Sequence, residues 1–239
     1  MLQAPEKGFA IPPLSDIKMK YIIENSPKSQ TVTIGRDENL TYIFFNDPAA
    51  AGPCRLEFVL KGSDSSVKVL GFDIGNGKRE TEIRLVQADR ETCGQAWIKT
   101  ISAGEGQSSV KGLIVIEKSA RGANAKFTHN ALLLSDRTRV FSWPALEIKN
   151  DEVKASHAAT VGRLDRQIIF YLNSRGLGRQ EAAKLVVSSF AKDLLKEVED
   201  GKVRSEVEGI LEEKLATLGL EAWSNDKSEV SSQEKTNDD

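Results

Sequence analysis

Residues 144–178 read PALEIKNDEVKASHAATVGRLDRQIIFYLNSRGLG, and they contain a change of hydrophobic period. Leu146 and Ile148, then Val153, Ala155 and His157, alternate with polar neighbours, the pattern of a strand whose side chains point to opposite faces in turn. From Leu164 onward the apolar spacing becomes helical, which predicts Leu164, Ile168, Tyr171 and Leu172 on one stripe. Arg175-Gly176-Leu177 is a helix stop: Gly176 suits the left-handed position after the last turn, and Leu177 supplies the covering apolar contact. His157, one of two histidines in the chain, stands on the last strand before the switch. The strand-to-helix seam is therefore the first place to look for function.

Upstream of that seam, strands follow one another with little between them. The candidates are 30–34, 40–45, 55–60, 67–74, 81–87, 95–101, 110–116, 125–134, 139–148 and 153–160. Each is short, rich in β-branched or aromatic residues, and bounded by turn formers such as Gly75-Asn76-Gly77 or Gly104-Glu105-Gly106. A sandwich or jelly roll built on hairpins fits this rhythm, and so does a solenoid whose coils cover one another's apolar faces. Periodicity does not separate the two. The first thirty residues carry Pro5, Pro12, Pro13 and Pro27 and read as an extended arm, with one short strand around Tyr21–Ile23.

Downstream of Gly162 the chain reads as helical to about Leu218. A second helix over 179–198 would present Ala182, Val186, Phe190 and Leu194, and a third over 203–218 would be stopped by Gly219. The last sixteen residues are polar and acidic and are expected to be disordered. They carry a net charge of −3 against −2 for the whole chain, which leaves the body at +1. A near-neutral body without a basic stripe argues against nucleic acid as a partner. No apolar run approaches the ~18–20 residues of a membrane span, and the first residues lack the form of a secretory signal. Cys54 and Cys93 form no paired motif, which points to a reducing, cytoplasmic setting.

The search for catalytic motifs is negative: no phosphate-binding loop, no dinucleotide fingerprint, no H-E-x-x-H and no G-x-S-x-G. Two histidines cannot assemble a His-rich metal centre in one chain. Cys54 and Cys93 read as small buried hydrophobes, and His129 as a packed or surface strand residue. Asp73, Glu82 and Glu147 are candidate acids for a carbohydrate-active β-helix, but they show no pairing signal. From the residues alone, the chain is an all-β domain with a helical C-terminal cap.

Three motifs go further: Pro144-x-Leu146-Glu147-Ile148, the run Ser156-His157-Ala158-Ala159-Thr160-Val161-Gly162, and Phe170-Tyr171-Leu172-Asn173-Ser174-Arg175-Gly176-Leu177. With Asn130–Asp136 they lie in order over about 70 residues and resemble the SufB/SufD family, scaffold subunits of iron–sulfur cluster assembly. The resemblance implies a right-handed parallel β-helix core with a C-terminal α-helical domain. The expected layout is an extended arm at 1–29, a β-helix core at 30–161, a helical domain at 162–220 and a disordered acidic tail at 221–239. Ile148 stands where SufB-type proteins carry a cysteine, and Ala158 where they carry a glutamate, so the chain looks like the SufD branch. The family's N-terminal helical region is not visible in this sequence, which implies a short form.

The resemblance also implies roles. His157 would help a SufB-like partner, or a second copy in a homodimer, to hold iron or a transient iron–sulfur cluster at the subunit interface. Tyr171, Arg175 and Phe190 would lie near a docked SufC-like ATPase. The chain itself would be no enzyme and would bind no nucleotide. The alternatives are a purely structural SufD-like subunit whose His157 ligates nothing, or a carbohydrate-binding β-helix.

Overall fold

The computed structural model of the protein describes residues 19–46 and 52–218. The acidic tail, the stop at Gly219 and the first part of the arm lie outside the described residues. Eleven strands precede three helices. The strands are β1 (Met19–Asn25), β2 (Gln30–Ile34), β3 (Asn39–Asn46), β4 (Cys54–Leu60), β5 (Ser66–Gly75), β6 (Lys78–Gln87), β7 (Cys93–Ser102), β8 (Gln107–Ile116), β9 (Asn124–Leu133), β10 (Arg139–Ile148) and β11 (Lys154–Arg163). The helices are α1 (Arg166–Ser174), α2 (Arg179–Lys192) and α3 (Gly201–Ala216), with a 3-10 turn at Asp193–Glu197 between the last two.

Odd-numbered strands form a six-stranded sheet in the order β1-β3-β5-β7-β9-β11, and even-numbered strands a five-stranded sheet in the order β10-β8-β6-β4-β2. Every pairing is parallel. The chain therefore crosses from one sheet to the other and back in each coil, which is a β-solenoid and not a hairpin sandwich. Gly75-Asn76-Gly77 lies where β5 passes into β6 of the opposite sheet, so it is a corner and not a hairpin. All ten strands expected from the sequence are present: 30–34 and 139–148 keep their bounds, 125–134 and 153–160 shift by one to three residues, and the other six are lengthened. The strand suggested around Tyr21–Ile23 spans Met19–Asn25 and pairs with β3, so this part of the arm is the first strand of a sheet.

The corners repeat with the coils. Asp37, Asp64, Glu91 and Gly122 all take left-handed backbone angles, with φ between 54° and 74°. Their N–H groups donate to Ser63, Arg90, Arg121 and Glu152 carbonyls of the following coil, so the turn backbone is satisfied by stacking. Asn39 and Ser66, 27 residues apart, are bonded side chain to side chain in the same way.

Alternating side chains fill the coil with Tyr42, Phe44, Leu56, Phe58, Val69, Ile83, Leu85, Ile98, Ile114 and Phe127, all buried. Gly112 faces the Phe127 ring so closely that a Cβ there would stand 2.3 Å from it. That position requires glycine because the ring occupies the space.

The outer face of the six-stranded sheet forms a second core. Ile43, Phe45, Leu70, Phe72, Ile101 and Leu132 pack there with Ile169, Ala183, Val187, Leu194, Val207 and Leu211 from the helical segment. The helices thus flank the sheet and do not cap the end of the coil. Lys68 Nζ bonds the Glu197 carbonyl at 3.0 Å, and Lys99 Nζ reaches Asp193 Oδ2 at 3.3 Å and sits 4.2 Å from the Phe190 ring centroid.

The helical stripe differs from the one read in the sequence. Ile169 is buried and Leu172 half-buried, whereas Ile168 and Tyr171 face outward. Leu164 is buried but precedes the helix, which starts after the Asp165 cap, where the carboxylate accepts from Gln167 N at 2.8 Å. Helical phase cannot be counted from a residue outside the helix. The stop behaves as expected: Gly176 has φ +95°, Leu177 N donates to Leu172 O at 3.2 Å, and Leu177 packs on the second core. α2 ends at Lys192, short of the expected Val198, because the next residues tighten into the 3-10 turn.

Candidate functional site

The last coil, β10 and β11, has a covered side and an open side. β10 pairs only with β8, and β11 only with β9, so both strands leave one edge without a partner among the described residues. Parallel register carries a facing direction from strand to strand. Ile22, Tyr42, Val69, Ala96, Phe127 and His157 stand in register on successive strands of the six-stranded sheet. Tyr42, Val69, Ala96 and Phe127 lie inside the coil. His157 therefore belongs to the interior column, yet it is exposed, because no coil among the described residues follows to cover it.

Leu146 and Ile148 repeat this on the other sheet. They register with the buried Ile114 and Ile116 of β8 but are themselves 36% and 46% exposed. Val161, Phe141 and Trp143 add further exposed apolar surface on the same two strands, with Trp143 at 61%. Phe141 and Trp143 register with Ser109 and Lys111 on the outer face. An apolar surface of this kind on a terminal coil marks an interaction site.

α1 carries the second exposed group. Tyr171 and Arg175 come together, the guanidinium lying 5.2 Å from the ring centroid. Phe190 does not join them; it is half-buried beneath Lys99 against the sheet. Phe170, 74% exposed, and Ile168 face solvent beside Tyr171 along the helix, and Leu185 does so on α2. The sequence reading passed over Phe170 because it counted that residue as part of a motif and not of a face.

His129 lies fully buried inside the coil. Its Nε2 is 2.9 Å from Thr100 Oγ1 and its Nδ1 2.9 Å from Ser142 Oγ. Thr100 donates to Asp73 Oδ2 at 3.2 Å, and Ser108 also donates to that oxygen. Asp73 Oδ1 accepts from Arg79 Nε at 2.8 Å and from Asn46 Nδ2 at 3.3 Å, and Asn46 also donates to Thr81 at 2.9 Å. A polar lane thus runs through four coils along one side of an otherwise apolar interior. Burial lowers the His129 pKa to about 4, with the Asp73 charge opposing the shift, so the imidazole is neutral at physiological pH. The one sequence signal for the lane was hydrophilic residues at inward parity: Asp73, Thr81, Thr100 and Ser108.

The remaining candidates separate. Asp73 is interior and paired with Arg79, while Glu82, half-buried, and Glu147, exposed, lie on the other sheet and are paired with Arg55 and Lys149. They form no carboxylate pair. Burial pushes the Cys54 thiol up to about 12 and raises that of Cys93, so neither offers a thiolate. Among the described residues no group of three or more His, Cys, Asp or Glu side chains is placed to hold a metal ion, so His157 would need ligands from elsewhere. No described helix is long and apolar enough to cross a membrane.

Comparison with known proteins bears on this site. The family model described as "SUF system FeS cluster assembly, SufBD core domain" matches residues 28–190. The iron–sulfur cluster assembly protein SufD of Escherichia coli (strain K12) is 33% identical over 163 residues, 67% of this chain and 37% of that protein. SufD of Bacillus subtilis (strain 168) is 36% identical over 108 residues, 45% of this chain and 25% of that protein. An iron–sulfur cluster assembly SufBD family protein of Synechocystis is 28% identical over 142 residues, covering 59% and 30%. The matched stretch spans well under half the length of each relative.

Proposed function

The chain belongs to the SufBD core family, and on that premise we propose that it is a non-catalytic scaffold subunit of iron–sulfur cluster assembly in the cytoplasm. It pairs through the open end of its coil with a SufB-like subunit or a second copy of itself. The observation that carries this reading is the interior column that ends, exposed, at His157. A partner coil seated there buries Leu146, Ile148 and Val161 and brings its own ligands to the imidazole. The cluster is cargo, held in passing. An imidazole beside thiolates raises cluster potential relative to all-thiolate ligation, which suits a site that must release what it holds. The chain supplies no thiolate of its own to this end, since Ala155 and Ile148 stand where cysteines could have served.

The coil is right-handed in this reading, as nearly all connections between parallel strands of one sheet are. The core and the helical segment act as two working parts, with 30–161 pairing and 162–220 docking a SufC-like ATPase. Tyr171 and Arg175 form the contact, and Phe190 supports it from beneath by holding α2 on the sheet.

The test is co-expression with SufB-like and SufC-like subunits. His157→Ala is expected to leave the complex intact and abolish cluster formation, read by visible absorption and iron content of the purified complex. Unchanged cluster content would sink the ligand role and leave a purely structural subunit. Tyr171→Ala with Arg175→Ala is expected to lose the ATPase from the complex while the coil pair persists.

A further inference from the structure

The two ends of the coil differ in what their inward positions carry. β1 pairs only with β3, and β2 only with β4, so the first coil also leaves one edge of each strand without a partner among the described residues. Its inward side chains follow from register. Lys20, Ile22 and Glu24 stand over the interior residues Leu40, Tyr42 and Phe44, and Gln30, Val32 and Ile34 stand over Leu56, Phe58 and Leu60. Lys20, Glu24 and Gln30 thus place two charges and an amide on the inward face, above a coil whose own core is apolar. Two of them are tied together. Gln30 Nε2 donates to both Glu24 carboxylate oxygens, at 3.1 and 2.9 Å, and to the Tyr42 hydroxyl at 2.9 Å. That hydroxyl belongs to a fully buried ring and is itself hydrogen-bonded to Glu24. Glu24 is half-buried, and Lys20 and Gln30 are exposed.

The polarity of this end matters because a parallel solenoid can extend itself. The same columns run in register from the first coil to the last. A second copy stacked head to tail would therefore set its last coil on this first one and continue the ladder. Val32 would meet Leu146, and Ile34 would meet Ile148, as in an ordinary core. Lys20 would instead meet Ala155, Glu24 would meet Ala159, and Gln30 would meet Pro144. None of those three has a side chain that can bond an ammonium, a carboxylate or an amide. Stacking would take both charges out of water without partners, at a cost the apolar contacts do not offset. A head-to-tail contact also never closes, since each added copy exposes a new end, and its product is a fibre. We propose that Lys20, Glu24 and Gln30 form a stopper, a set of inward-pointing polar groups that keeps any further coil off the first one. Coils of this kind then join only through their open ends, and the coil pair closes at two. The stopper rests on the reading of the last coil as the pairing end.

Analytical ultracentrifugation of the full chain over a range of concentrations tests this without any other subunit. The wild type is expected as a single copy or a pair and nothing larger. Lys20→Val, Glu24→Leu and Gln30→Leu are combined with Tyr42→Phe, which removes the hydroxyl they would orphan. That variant is expected to form a series of larger species that lengthens with concentration. Adding Leu146→Lys and Ile148→Lys at the other end should abolish the growth, because head-to-tail stacking needs both ends, whereas indiscriminate clumping would persist. Glu24→Gln, which removes the charge and keeps the shape, should shift the sizes in the same direction by less, and it serves if the fuller variant does not fold. A wild type that grows beyond a pair, variants no larger than the wild type, or growth that survives the two lysines overturns the stopper. Failure to recover a SufB-like subunit on co-expression would overturn the pairing reading instead, so the two failures are distinguishable.

Discussion

Phe127 and His157 stand in register on adjacent strands, point the same way, and meet opposite fates. Phe127 is 1% exposed, packed inside the coil against the ring-sized gap left by Gly112. His157 is exposed. The same contrast holds between Ile114 and Leu146, and between Ile116 and Ile148. Alternation along a strand decides which way a side chain faces, whereas burial in a solenoid depends on whether another coil follows. The middle of this coil is therefore a finished core, and its last turn is the same core cut open. In the reading proposed above, a partner completes it.

Substitutions can break that contrast. Phe127→Ala should cost about 3–5 kcal/mol in chemical denaturation, the usual penalty for emptying a packed aromatic site; a loss near that of an exposed residue would mean the middle of the coil is not closed. Acidification probes the lane. His129 is held near a pKa of about 4, against the ordinary 6.5, so its neutral form belongs to the fold. The stability it allows is complete above pH 6.5 and falls as the pH drops toward 4, by about 3 kcal/mol in all. Denaturation at several pH values should show this slope, and His129→Gln should remove it. Gly112→Ala should cost about 1–3 kcal/mol by overpacking against Phe127, and a neutral result would show that the ring can yield. At the open end, His157→Ala and Trp143→Ser should each change the stability of the isolated chain by no more than about 0.5 kcal/mol. Trp143→Ser should nevertheless weaken pairing with a SufB-like subunit in co-purification. A large stability loss from either would mean that the last coil is already closed by this chain's own residues.

The strand pattern was legible because each strand carries its own signal: β-branched residues in alternation between turn formers. The stop at Arg175-Gly176-Leu177 was equally local, since it depends on one left-handed residue and one apolar contact. His157 could be singled out from its motif, and its position on the last strand was correct. The facing of α1 was not legible. Counting from Leu164 placed Ile168 and Tyr171 inward, but the helix begins only after Asp165, and Ile169 is the residue that packs. His129 could be placed on a strand, but not in a hydrogen-bonded lane whose bonded partners are separated by up to 35 residues in sequence.

The sequence by itself determined the strands, their corners, the helix stop and the motifs of the family, because each is written within a few neighbouring residues or within one contiguous segment. Only the tertiary structure decided that the strands stack in parallel coils, that the helices lie against the flank of one sheet, and that Asp73, Thr100, His129 and Ser142 meet in the interior. The physical reason is that burial and hydrogen-bond partners in a solenoid come from the next coil, about 27 residues away. For His157 no further coil follows among the described residues, and that is what leaves its imidazole exposed.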